Sequence, residues 1–149
     1  MFHVKRWLVG LLLSGVALAC PGETPAPKPP VSNKLAKMVK MINAERKSRG
    51  LHALKIDPKL NCAAKMHSQD VGPKKLCQHN GTDGSSPWDR AKKCGTSARG
   101  ENIACGQRTP RAAVDAWLNS PGHFKNMMNK NFEYIGVGES GFYWTNIFR

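Results

Sequence analysis

Tyr134-Ile-Gly-Val-Gly-Glu-Ser140 (YIGVGES), followed after Gly141 by FYWTNIF at residues 142–148, decides the fold class. Both runs are short, carry aromatic and β-branched residues and are separated by a turn glycine. They predict the last two strands of an antiparallel sheet. Upstream the pattern is helical. Ser32 or Asn33 can cap a helix running to about Arg49, in which Leu35, Met38, Val39 and Ile42 follow helical spacing and Gly50 supplies the stop. Asp57-Pro58 opens a second helix, with Leu60, Ala64, His67 and Val71 along one face and Gly72-Pro73 at its end. Ser86-Pro87 opens a third, stopping before Gly95. Thr109-Pro110 opens a fourth, turning Ala113, Val114, Trp117 and Leu118 inward, and Ser120-Pro121 a fifth, to about Met128. Four of these starts place a capping residue before proline, whose missing N–H costs nothing in the first helical turn. Between the second and third helices lies NGTDGSS, residues 80–86, with the turn dipeptides Asn80-Gly81 and Asp83-Gly84. Helices around a small sheet give an α+β architecture. No internal repeat is visible.

The N-terminus reads as an export segment over residues 1–19. Lys5 and Arg6 precede an apolar run over residues 7–16, and Ala17-Leu18-Ala19 supplies small residues for cleavage. The run is short of the roughly 20 residues that cross a bilayer. Cleavage after Ala19 would leave Cys20 first, as in bacterial-type lipoproteins, although Leu18 stands one place nearer the cysteine than is usual. Residues 20–32 then form a linker. Its PGETPAPKPP stretch, residues 21–30, is half proline and favours polyproline II at about 3.1 Å per residue. Lipidation at Cys20 would make it a tether. The domain occupies residues 33–149.

Five cysteines are present. With Cys20 set aside, Cys62, Cys77, Cys94 and Cys105 form an even set in an exported chain, which reads as two disulfides. Three pairings exist for four cysteines; Cys62–Cys77 and Cys94–Cys105 close the shortest loops and are the expected ones. The formal charge is +13, of which Lys5 and Arg6 contribute only two. Such a surplus favours anionic partners such as acidic lipids or wall polymers, or else serves solubility. Export argues against nucleic acid.

Several segments together resemble the CAP superfamily of cysteine-rich secretory, antigen-five and pathogenesis-related proteins, in its compact bacterial version. They are NAERKSRGL at residues 43–51, LKID at 54–57, AAKMHSQD at 63–70, His79-Asn80-Gly81 and DGSSPWDR at 83–90. GENIA at 100–104, AVDAWL at 113–118, Ser120-Pro121-Gly122-His123, Ile135-Gly136-Val137-Gly138 and YWTNIF at 143–148 complete the series. The resemblance covers residues 33–149 in order. It implies an α-β-α sandwich, disulfide-stapled, with helices flanking a small antiparallel sheet.

The resemblance also implies a cleft built from two histidines and two acids. His79, Glu101 and His123 match three of these positions; Ser120 stands where the fourth acid would be. Two imidazoles and a carboxylate suit Zn2+ or another divalent cation, and the same groups could move protons near neutral pH. A purely structural trio, with Glu101 orienting the imidazoles, is the third alternative. No HExxH motif and no nucleophile beside a base accompany them. The remaining candidates have structural expectations. His67 is a core or cleft-edge histidine, Ser120 an N-cap, and Asp83 and Asp89 turn and helix-start residues. Trp117, Trp144 and Phe132 belong to the core, whereas Trp88 could line a groove. The functional expectation is a monomeric binding module, secreted or held at the outer surface, for an anionic membrane, a cell-wall surface or a lipid or sterol ligand. No cofactor is required. The alternative is a metal-dependent hydrolase of peptide or wall polymer centred on His79, Glu101 and His123.

Overall fold

A computed structural model describes residues 32–149; the signal segment, Cys20 and nearly all of the proline-rich linker lie outside the described residues. Five helices form where the capping signals fall. Helix α1 (Asn33–Lys47) starts at Ser32, whose hydroxyl accepts from Leu35 N. Helix α2 (Pro58–Val71) starts at Asp57, which accepts from Lys59 N at 2.8 Å. In α3 (Pro87–Lys93) Ser86 and Asp89 bond reciprocally as a capping box. Helix α4 (Pro110–Leu118) is capped by Thr109. Ser120 occupies the N-cap of α5 (Pro121–Met127), but its hydroxyl makes no capping bond.

Four strands form the sheet: β1 (Lys55–Ile56), β2 (Gly100–Cys105), β3 (Tyr134–Ser140) and β4 (Tyr143–Phe148). Their order is β1-β3-β4-β2, and β2, β4 and β3 are antiparallel. The exception to an all-antiparallel sheet is β1, two residues that pair parallel with β3, Lys55 opposite Tyr134.

Strand alternation splits the core between the two faces. Ile135, Val137, Trp144 and Phe148 pack with Met38, Ile42, Val114 and Trp117 from α1 and α4. On the other face Ile147 packs with Leu60, Ala63 and Ala64 of α2 and Ala91 of α3. Burying each large apolar side chain contributes about 1.5–3 kcal/mol. The sheet residues under α2 include Gly136 and Gly138. A Cβ on Gly136 would lie 2.1 Å from the Leu60 carbonyl carbon, and one on Gly138 2.5 Å from that of Ala64. These are backbone contacts with nothing flexible to yield, so the helix lies on the strand only because both positions lack side chains. The indoles donate as well as pack: Trp117 Nε1 to Ile103 O at 2.8 Å and Trp144 Nε1 to Gln107 O at 2.7 Å. Phe132 stacks on Phe148. Arg46, fully buried, donates to the carbonyls of His52, Met127, Asn129 and Phe132 and so ties α1 to the segment between α5 and β3.

The disulfides differ from the expected pairing. Cys62 on α2 bonds Cys94 at the C-cap of α3, and Cys77 bonds Cys105 at the end of β2, at sequence separations of 32 and 28. Cys62–Cys77 and Cys94–Cys105 do not form. Loop-closure entropy grows only logarithmically with length, so a preference for short loops is weak. The packing of α3 against α2 brings Cys62 to Cys94 and overrides it.

Candidate functional site

Glu101 lies on β2, where strand alternation turns it toward α2 and α3. Its side chain is buried, and both oxygens are engaged. Oε1 meets His79 Nδ1 at 2.7 Å, and Oε2 accepts from Arg90 Nη2 at 2.7 Å. Arg90, on α3, is 2% exposed. It also donates to the carbonyls of Ser85 and His79. One guanidinium thus fixes the loop over residues 80–86, the His79 backbone and the Glu101 carboxylate together. This is a charge-assisted network with little water to screen it.

Side chains of the neighbouring elements lie close by. His67, fully buried on α2, has Nε2 2.9 Å from Gln78 O, while its Nδ1 has no partner. His123 on α5 is partly buried, and its carbonyl accepts from Asn102 Nδ2 at 2.9 Å. Asn102, buried beside Glu101 on β2, also accepts from Asn126 of α5. His79 and Glu101 therefore touch directly, and His123 is held to the same strand through its backbone. Asp70 bonds the backbone and hydroxyl of Thr82 and the Lys74 ammonium, which pushes its carboxyl far below the usual range. Asp83, lowered to about 2 by its bonds to Ser85, braces the same loop, so the glycine-rich segment is pinned at both ends. Trp88 is 58% exposed at the start of α3.

The two central residues that carried no sequence expectation are Arg90 and Asn102. Arg90 closes the motif DGSSPWDR and Asn102 sits inside GENIA, but nothing in a linear pattern says that an arginine faces inward. The only signal was their place in matched motifs.

The fit to a divalent cation is poor. Glu101 has no oxygen left without a partner, and a guanidinium bonded to a would-be ligand repels a cation. Among the described residues no group of three His, Cys, Asp or Glu side chains converges closely enough to hold a metal.

The imidazoles are tuned in opposite directions. The Glu101 hydrogen bond raises the pKa of His79 against partial burial. Burial lowers His67, and burial followed by the nearby His79 charge lowers His123. The His79 bond therefore stabilises fully below the ordinary imidazole pKa, about 6.5, and fades as pH rises through its elevated folded value. For His67 and His123 the unfolded chain protonates first, so stability is lost as pH falls from about 6.5 toward their lowered folded values. Half-exposure of His79 keeps its share small. A proton NMR titration should find His79 titrating above both other imidazoles. Glu101→Gln should bring His79 down; an unchanged His79 would show that the bond is absent in solution.

The family model for CAP, the cysteine-rich secretory protein family, matches residues 39–142. Among curated proteins, the chain is similar to YkwD of Bacillus subtilis (strain 168), 47% identical over 116 residues, which are 75% of this chain and 45% of that protein. The membrane protein YlbC of the same organism is 33% identical over 110 residues, 72% of this chain and 32% of that one. The chain spans less than half the length of these two relatives. Among solved structures, it is similar to an extracellular protein containing a SCP domain from Bacillus anthracis str. Ames. That match has a TM-score of 0.72 at 30% identity and covers 76% of this chain and 39% of that one. An outer surface protein of Borrelia burgdorferi matches with a TM-score of 0.69 at 26% identity, covering 77% of this chain and 90% of that one.

Proposed function

The chain belongs to the CAP family of cysteine-rich secretory proteins, and from that premise we propose that it is an extracellular or envelope-tethered module that binds an anionic surface or lipid. The observation that carries this reading is the closed state of Glu101. A carboxylate bonded at one oxygen to a buried guanidinium and at the other to an imidazole ties β2, α3 and the His79 segment together. It does not serve as a ready base, and this favours the binding module over the metal-dependent hydrolase. The +13 formal charge supplies long-range attraction to anionic material. The extracellular and outer-surface proteins among the structural neighbours support the compartment. No helix among the described residues is long and apolar enough to cross a membrane, and lipid on Cys20 is the proposed anchor.

The test is co-sedimentation of the purified protein with phosphatidylglycerol vesicles and with cell walls across a salt series. Binding should be strong at low salt, absent on phosphatidylcholine, and largely gone at about 1 M salt, where the Debye length falls to about 3 Å. Failure to bind either anionic material at low salt would remove this reading.

A further inference from the structure

A concavity whose lining does not include Glu101 lies where the start of α2 meets the turn between α3 and β2. It is a cavity of about 710 Å³, open to solvent, lined by Lys59, Lys92 and Arg149, by Thr96 and Ser97, and by Asp57. Three basic side chains share it with one acid, and that acid is spent. Asp57 Oδ2 accepts from Arg149 Nη2 at 2.9 Å, and its other oxygen caps Lys59 N. The Lys59 and Lys92 ammonium groups pair with no carboxylate among the described residues. Holding two exposed lysines around one hollow without an internal counter-charge costs like-charge repulsion, which an anion would relieve.

Arg149 is the prearranged part. Its guanidinium lies over the Tyr134 ring at 4.4 Å and donates from Nη2 to Asp57, and its Nε is a buried donor with no acceptor. The turn over residues 94–97 is fixed by Gly95, at φ +72°, and by Thr96 N bonding Ala91 O. It brings two hydroxyl-bearing residues to the same wall. Cations, hydroxyls and a stacked guanidinium around a space of this size suit a group with several acceptor oxygens and one or two negative charges.

We infer that this pocket binds a phosphate group, as a monoester or as a phosphodiester of a larger ligand, through Lys59, Lys92 and Arg149. The inference deepens the binding-module reading and rests on it for the source of the phosphate. With Asp57 bonded to Arg149, the two lysines supply the unpaired cationic side chains that would face a phosphate. A lipid headgroup and an anionic wall polymer present the same chemistry, and the open mouth would admit either.

The experiment is a titration of the isotope-labelled protein with inorganic phosphate, followed by NMR. Amides of Gly95, Thr96 and Ser97 should shift along a saturable curve. Lys59→Ala with Lys92→Ala should weaken the apparent affinity about tenfold or more, the loss of two charge-assisted contacts. The control, Lys37→Ala with Lys40→Ala on the exposed side of α1, removes equal charge elsewhere and should leave the curve unchanged. Shifts that fail to saturate, or equal weakening in both double variants, would overturn the pocket. The same proteins are then sedimented with phosphatidylglycerol vesicles and with a poly(glycerol phosphate) wall polymer. The material lost selectively by the Lys59/Lys92 variant identifies the source. Undiminished binding of both by that variant would refute the pocket while sparing the module. Saturable phosphate binding by wild type that sediments with neither would sink the module and leave the pocket standing.

Discussion

Arg90→Met should lower stability by about 3–5 kcal/mol, because it strands the buried Glu101 carboxylate beside a side chain that cannot bond it. In a domain of this size that corresponds to a fall in melting temperature of about 15 °C or more. The side chain is 2% exposed and serves three acceptors, so water cannot replace the lost donors. Adding Glu101→Gln to Arg90→Met should restore part of the loss by removing the stranded charge. The pair of single variants and the double variant form a cycle whose coupling reads out the interaction. Urea unfolding provides the measurement. A loss below about 1 kcal/mol would place the pair in the class of solvent-screened surface bridges and leave the cleft without its organising contact.

The disulfides should produce the second large effect. Each closes a loop of about thirty residues, for which chain entropy gives about 3.5 kcal/mol per bond. Cys77→Ser with Cys105→Ser should cost that amount and also disturb the cleft, since Cys77 lies two residues before His79 and Cys105 four after Glu101. Cys62→Ser with Cys94→Ser should cost a similar amount and loosen α3, which carries Arg90. The cross-links thus bind together the three segments that supply the polar network. Peptide mapping of the oxidised protein should recover Cys62 joined to Cys94; recovery of Cys62 joined to Cys77 would refute the arrangement. Thermal unfolding of the two double variants gives the energies.

Much of the scaffold could be read directly. Capping residues followed by proline located α2 to α5 because that signal is local: it depends on one fixed φ and, in α2 to α4, on one side-chain bond as well. The final two strands were equally plain from their aromatic and β-branched content. Strand β2 was not, since GENIAC opens on glycine and buries residues on both faces, which hides the two-residue alternation. Two-residue β1 exists only because β3 is beside it. The pairing of the cysteines was misjudged for a related reason: contour length says little about which helices pack together. Family resemblance pointed to His79 and Glu101, which do touch, but not to Arg90, the partner that governs Glu101. An inward-facing arginine looks the same in a string of letters as a solvated one.

Each border of the sheet carries side-chain caps. The outward carbonyls of β2 receive Asn126 Nδ2 at Glu101 and Trp117 Nε1 at Ile103. On the opposite side, beyond short β1, the Val137 amide donates to Asn61 Oδ1 at 2.8 Å. A neighbouring molecule looking for an unbroken row of vacant peptide groups to extend, as in fibril growth, would find that row interrupted at Glu101, Ile103 and Val137. Crowding many copies on one surface therefore need not zip them into filaments.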